Sequence, residues 1–552
     1  MNKAKPPLPL PSLEASCRQY LRAVRPLQTD EQHRRTSTLV EKLLTGDGPA
    51  LHEALAAWGR TTGSGWLEPL WVETYLEDRR PLPACQSAVL VPTQILRPTG
   101  VGYARWVAAV ALAAVEYTLR EGEDDHGDPA LLRATRIPGL KRDTIADHPA
   151  SDYFVVLRAG RMHRVRARWG SRGPHELEEI MKEILRLPPA THTPIAALTA
   201  ARRTEWAVWR DVLVDSGPHN AHVLQTVETA MFVLCLDDAE GQSVAEAAHR
   251  FMVGNPASRW HDKAAQIMLD LDGRIGFSFE HSRGDMASFQ ALTAHVREKS
   301  PEIAVAPQGG RSDVRREELC WDDVGPVLER AASKAQQFAL AQESRLTTVA
   351  ARVENAGTET CGLLADAVVH VAAQLAHVGL RGRPAWAYQP VDMSRYAGGR
   401  IEVMRPVSPE MLEFIRLEGE NASAEDRRAA LIRTATEHRR RQTECITGSA
   451  SERHLFALKT FGEHIFGDHA EMFDDVAWER LHSRLELSTT SVPRMGVVPF
   501  SPGSVDGYGL AYDIGSTGIF CTVITQESSA SDYLVTLANE INRVAALLHN
   551  RR

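Results

Sequence analysis

No apolar run in this chain is long enough to cross a bilayer. The longest, Trp106 to Val115, is bounded by Arg105 and Glu116. It falls far short of the ~20 residues a membrane helix needs and predicts a buried helix of a soluble protein. Cysteine is scarce as well. Cys17, Cys85, Cys235, Cys320, Cys361, Cys445 and Cys521 are scattered without paired or metal-ligand spacing, which excludes a disulfide framework and predicts free thiols in a reducing compartment. A basic excess is missing: the net charge is −8, so nothing marks a nucleic-acid binder. Met1-Asn2-Lys3-Ala4-Lys5 runs into prolines with neither an apolar signal core nor an arginine-rich presequence, and the expected location is the cytoplasm. No repeat is visible residue by residue. What remains is a globular chain of 552 residues, 43% hydrophobic, enough for two domains of ordinary size.

The informative feature is Glu280-His281-Ser282-Arg283-Gly284-Asp285, reached from the alternating run Ile275 to Phe279. A small-molecule hydroxyl is a poor nucleophile near neutral pH, so acylating it calls for a base of matched pKa, most often histidine. His281 is the candidate base. Asp285, four positions on, either orients the ring or pairs with an arginine and stiffens the turn. Taken alone, a histidine and a carboxylate at this spacing occur by chance in a chain with 21 histidines.

The surrounding residues resemble the choline/carnitine O-acyltransferase family. Arg259-Trp260-His261-Asp262-Lys263 resembles its W-x-D-K helix start. Leu8 to Leu13 and Trp66 to Trp71 look like its opening helices, and Arg136-Ile137-Pro138-Gly139 is similar to its R-x-P-G turn. Arg395 to Arg405, Glu452 to Leu455, Leu487 to Pro493 and Asp506 to Gly509 follow in the family's order. The resemblance implies an α/β fold of two related chloramphenicol-acetyltransferase-like halves. Each would be a mixed β-sheet covered by helices, with an active-site tunnel between them. Residues 1–85 would form a helical segment packing on the second half, 86–323 the half carrying His281, and 324–552 the half carrying the Ser488–Thr490 motif. Pro301 to Asp323 reads as the crossover, Glu121 to Asp128 as an acidic surface loop, and Glu418 to Arg441 as a solvated helix.

By the same resemblance, Thr490 donates to the oxyanion and Ser488 contacts the acceptor, though Ser and Thr alternate in many ordinary strands. Tyr388 and Arg453 match the family's carnitine-carboxylate contacts, whereas Ile401 stands where a threonine hydroxyl is expected. Phe500 falls near the trimethylammonium position, suited to a cation–π contact, and is equally a core phenylalanine. Val498 is smaller than the methionine of acetyl-specific members and admits a longer acyl chain. Met286 replaces a glycine beside the catalytic turn. On the donor side Asp366 matches an acid contacting coenzyme A, but Asn355 and Glu359 stand where phosphate-binding lysines belong. The acyl group would therefore arrive on coenzyme A or on the phosphopantetheine arm of an acyl carrier protein. Neither a permanently bound cofactor nor a metal is implied. Two alternatives stay open: an H-x-x-x-D acyltransferase of secondary metabolism acting on another alcohol or amine, and a non-catalytic protein that binds acyl groups or carriers.

Overall fold

The alanine- and valine-rich run around Trp106 does become a buried helix, Tyr103–Thr118, with thirteen buried residues on all its faces. The structure is a computed structural model, and it describes residues 5–83, 85–120, 128–167, 174–191, 194–307, 314–354, 364–494 and 496–549. The acidic stretch at 121–127 and the expected donor-side positions Asn355 and Glu359 lie outside the described residues, as does Cys361. No described helix is long and apolar enough to cross a membrane.

The chain divides into two units. One comprises Thr74–Thr348 and Met495–Ser501; the other comprises Met1–Glu73, Val349–Arg494 and Pro502–Arg552. Strands β1 (Ser87–Leu90), β2 (Thr135–Ile137), β3 (Thr144–Ala146), β4 (Tyr153–Arg158), β5 (Arg161–Ala167), β6 (Val233–Leu236), β7 (Ala265–Leu269), β8 (Ile275–Glu280) and β9 (Val314–Leu319) come first along the chain. Seven of them form one sheet in the order β1-β8-β7-β6-β4-β5-β9, and β2 pairs with β3. Strands β10 (Thr347–Glu354), β11 (Ala387–Asp392), β12 (Ile401–Met404), β13 (Leu487–Ser491), β14 (Tyr508–Gly515) and β15 (Gly518–Thr525) follow. They form a second sheet in the order β10-β15-β14-β13-β11-β12.

Both sheets are mixed, as expected, and they share one connectivity. In the first, β4, β6 and β7 are parallel and β8 returns antiparallel to β7, with β5 antiparallel on the outer side of β4. In the second, β11, β13 and β14 are parallel, β15 returns antiparallel to β14, and β12 lies antiparallel outside β11. Each half also packs the helix before its first parallel strand against the helix after its return strand. These pairs are Tyr103–Thr118 with Met286–Val305, and Ala365–Arg381 with Ala530–His549. The duplication hidden at the level of residues is thus plain in the topology.

The β7–β8 turn shows how local chemistry sets this pattern. Gly273 takes φ +87, a conformation L side chains rarely adopt, and its carbonyl accepts from the Trp106 indole at 2.7 Å. That bond ties the hairpin to the buried helix.

Several local expectations need correction. Trp260–Lys263 is not a helix start but a turn leading into β7; its backbone is committed elsewhere, with Arg136 N–H donating to the Asp262 carbonyl at 2.9 Å. Leu8 to Pro11 is extended because proline disfavours a helical residue before it, and the first helix begins at Leu13 behind the Ser12 cap. Pro301 sits inside the helix Met286–Val305, and the charge-rich stretch beyond it contains β9. Its charges pair across the sheet edge, Arg161 with Glu318 at 2.5 Å and Arg164 with Glu317 at 3.7 Å. Glu418 to Arg441 spans the end of one helix, Pro409–Gly419, and much of another, Ala424–Ile446. The latter buries Ala430, Leu431, Thr434, Ala435, His438 and Arg441 along one side instead of lying in solvent.

Burial holds five histidines well below the ordinary value of 6.5: His163 and His295 at about 4, and His261, His370 and His454 at about 3. Between pH 6.5 and 4 the unfolded chain therefore takes up protons at these sites that the native chain refuses, so acidification favours unfolding. Glu343 and Glu402, pushed by burial to about 7, act in the opposite direction over the same window but are fewer. The thermal midpoint followed by circular dichroism should fall steadily from pH 7 to pH 4.5; a midpoint that rose on acidification would contradict this assignment.

Candidate active site

His281 follows the last residue of β8, where the strand stops and the chain turns into the helix Met286–Val305. Its ring is partly exposed, with 24% of the side chain accessible. Tyr75 stacks on it with ring centroids 5.5 Å apart and planes within 7°, and the Tyr75 hydroxyl lies 3.4 Å from His281 Nδ1. Asp285 Oδ1 is 3.5 Å from the same nitrogen. Both separations lie at the long end of the hydrogen-bond range. Asp285 precedes the helix without capping it, and Met286, the first helical residue, is half-buried.

The strand end is held from beneath by buried charge. Glu280 accepts from Arg136 Nη1 at 2.9 Å and from the Ser282 hydroxyl at 2.5 Å. Arg136 Nε donates to Asp143 at 2.7 Å, and so does Arg203 Nε; Arg203 Nη1 reaches Asp262 at 2.6 Å, whose other oxygen accepts from the Trp206 indole at 2.5 Å. Burial pushes the Asp143 carboxyl up, but Arg203 and Arg136 outweigh it and hold it below its usual range. Lys263, fully buried, donates to the carbonyls of Arg133 and Glu228 and to the Thr135 hydroxyl. Burial pulls its ammonium down to about 7. Its three acceptors suit the charged form, so the side chain clamps the β2–β7 junction instead of acting as a nucleophile.

Val498 and Phe500 belong to the same unit as His281. Val497 pairs with Val91 through two 2.9 Å backbone bonds, extending the sheet beside β1. Val498 is buried and Phe500 half-buried.

The other unit holds the remaining residues. Ser488 and Thr490 lie on β13 and, two apart, share one face, while Thr489 points the other way. The Thr489 hydroxyl donates to the Tyr388 carbonyl at 2.7 Å, and Tyr388 is the register partner of Ser488. Ile401 begins β12, and its carbonyl accepts from Arg453 Nε at 3.3 Å. The Arg453 guanidinium lies 4.0 Å from the Trp71 ring centroid and 5.7 Å from that of Phe456. The structure thus brings Tyr388 beside Ser488 and Ile401 beside Arg453. Asp366 is at the start of the helix Ala365–Arg381, where its carboxylate accepts from His438, Tyr512, Gln389 and Gln442.

Sequence reasoning missed Tyr75, which no motif marks, and the partner of Glu280. The second had a signal: a carboxylate inside an otherwise apolar strand demands a cation, and Arg136 was already among the motif residues.

The family model described as Choline/Carnitine o-acyltransferase matches residues 8–543. The chain therefore belongs to the choline/carnitine O-acyltransferase family. It is an O-acyltransferase, of a class that moves acyl groups between coenzyme A and a small-molecule hydroxyl. It is 27% identical to mouse (Mus musculus) mitochondrial carnitine O-palmitoyltransferase 2 over 94% of this chain and 88% of that protein. Bovine (Bos taurus) peroxisomal carnitine O-octanoyltransferase is 27% identical over 92% and 90%. Rat (Rattus norvegicus) carnitine O-acetyltransferase is 24% identical over 99% and 93%. Among solved structures, a trichothecene 15-O-acetyltransferase from Fusarium sporotrichioides covers 86% of this chain and 94% of that chain at 9% identity with a TM-score of 0.43, a likeness too distant to carry a functional conclusion.

Removing one partner of a buried ion pair costs about 3–5 kcal/mol because the other charge is left unpaired. Arg136→Met should destabilise the protein by that order in urea denaturation, and adding Glu280→Gln should recover part of the loss. Equal stability of Arg136→Met and the native chain would show that the network does not support the strand end.

Proposed function

We propose that the protein transfers an acyl group from a thioester to the hydroxyl of a small, carnitine-like acceptor, with His281 as the general base. The observation that carries this reading is the placement of His281 at a rigidly supported strand end, with Nδ1 turned toward Tyr75 and Asp285. That orientation assigns proton transfer to Nε2. As the acceptor oxygen attacks the thioester carbonyl, Nε2 takes the hydroxyl proton; when the C–S bond breaks, the imidazolium returns it to the departing thiolate. Asp285 and the Tyr75 hydroxyl steady the ring and the charge it acquires.

Thr490 is assigned the hydrogen bond to the oxyanion and Ser488 a polar contact to the acceptor, roles supported by the family match of β13 and by the shared face of the two hydroxyls. A carnitine-like acceptor is supported by the names of the relatives and by Arg453, whose stacked guanidinium suits a carboxylate better than choline's bare hydroxyl would require. Tyr388 would assist there. Ile401 removes one hydroxyl from the expected carboxylate contacts, so affinity for carnitine itself should be modest. Phe500 would face the quaternary ammonium, and Val498 would admit acyl chains longer than acetyl. A carrier-borne donor is the second reading, favoured by Asn355 and Glu359 where lysines would meet the coenzyme A phosphates.

Thiol release from acetyl-, hexanoyl- and palmitoyl-CoA, each with L-carnitine, choline or no acceptor, tests this. Carnitine-dependent release should fall by about 10²–10⁴ in His281→Ala and by about 10²–10³ in Thr490→Val. Arg453→Met should raise KM for carnitine far more than it lowers kcat. Undiminished turnover in His281→Ala would refute the base assignment. Release only from a phosphopantetheine-carried donor would move the reading to carrier proteins.

A further inference from the structure

The helix-covered face of the second sheet carries a buried polar cluster built around Asp366. Asp366 and His370 stand four residues apart on the helix Ala365–Arg381, which places both on one side of it. His438 reaches them from the helix Ala424–Ile446, and Tyr512 comes from β14. His438 Nε2 is 2.8 Å from Asp366 Oδ2, Tyr512 donates to Asp366 Oδ1 at 2.5 Å, and His370 Nε2 is 3.2 Å from the Tyr512 oxygen. Ligand atoms of Asp366, His370 and His438 all lie within 4.8 Å of one another.

Register separates this cluster from the reaction hydroxyls. Tyr512 pairs with Ser491 and Leu510 with Thr489, so Tyr512 shares the face of Thr489 and not that of Ser488 and Thr490. Around it lies an apolar core that includes Val368, Val369, Leu431, Leu487 and Leu510. Both imidazoles are almost wholly buried, at 1% for His370 and 3% for His438.

From these contacts we infer a binding site for one divalent transition-metal ion, of the zinc class, held by Asp366, His370 and His438 with Tyr512 or the Gln389 amide oxygen as a further ligand. Two imidazoles and a carboxylate are the donor set that suits zinc, cobalt or nickel, whereas calcium and magnesium would want more oxygens. A tetrahedral ion at the usual bond lengths sets its ligand atoms about 3.4 Å apart. The His438–Asp366 spacing is 2.8 Å and no pair among the three ligand atoms exceeds 4.8 Å, so side-chain rotation would seat the ion.

Asp366 already accepts from His438, Tyr512, Gln389 and Gln442, and two further buried acceptors, His438 Nδ1 and Gln389 Oε1, have no hydrogen bond among the described residues. A 180° turn of the Gln389 amide, which exchanges its nitrogen contacts to Asp366 and Tyr512 for oxygen, would be repulsive without a cation and favourable with one. On this placement the ion cross-links two helices and the sheet, on the face of β13 opposite Ser488 and Thr490.

Cobalt titration of the full chain provides the test, read by its visible d–d absorption and by elemental analysis after gel filtration, with zinc-dependent thermal midpoints alongside. The expected result is about one equivalent of cobalt in a low-symmetry four- or five-coordinate spectrum. A zinc-induced rise in the native midpoint should accompany it. His370→Gln should bind at least about tenfold more weakly and lose the midpoint shift; Asp366→Asn serves as the second variant if the first does not fold. Absence of stoichiometric cobalt in the native chain would overturn the inference. Uptake unchanged in both variants would do so too, since the ion would then sit elsewhere among the 21 histidines.

Discussion

The pairing of Glu280 with Arg136 is the contact on which the candidate active site rests. A carboxylate one residue before the candidate base is buried in a strand whose other residues are apolar, glycine or serine, and left alone it would cost several kcal/mol. Arg136 neutralises it, but Arg136 is buried too and needs more acceptors than one carboxylate supplies. Asp143 fills that need, Arg203 balances Asp143, and Asp262 balances Arg203. The chain of alternating charges draws β8, the β2–β3 hairpin, the turn before β7 and the helix Arg203–Asp215 into one rigid support. Buried ion pairs of this kind are poor sources of net stability and good sources of a unique geometry. Here that geometry is the direction in which the chain leaves β8, and so where His281 points.

The two halves make the same use of topology with different residues. Each runs three parallel strands into an antiparallel return strand followed by a long helix. In the first half the return strand ends in Glu280-His281; in the second it ends in Thr525-Gln526-Glu527. Only one half therefore carries a histidine at that point. The second half places its hydroxyls on the middle parallel strand, at Ser488 and Thr490, where the first has the apolar Val233 to Cys235. The same scaffold occurs twice, with different residues at the matching positions.

The same second sheet separates its polar residues by face. Period-two alternation sends Ser488 and Thr490 one way and Thr489 the other, with Gln389 and Tyr512 joining the helix-covered side through their contacts with Asp366. The backbone layer and the alternation thus keep the Ser488 and Thr490 hydroxyls apart from the buried polar centre around Asp366.

The amino-acid sequence determined the family, the buried helix at Trp106, the strand leading to His281 and the positions of the hydroxyl-bearing and arginine candidates. These are legible because they rest on local order: hydrophobic period, short motifs and their succession along the chain. The helix starts expected at Leu8 and Trp260 do not form, because proline or a distant hydrogen bond overrides the local pattern. What only the tertiary structure decided involves partners far apart in sequence: Tyr75 against His281, Arg136 beneath Glu280, and His438 against Asp366 and His370. Burying a charge or a polar ring creates a demand that the sequence announces, but which side chain meets it depends on how strands and helices from separate stretches come to lie side by side.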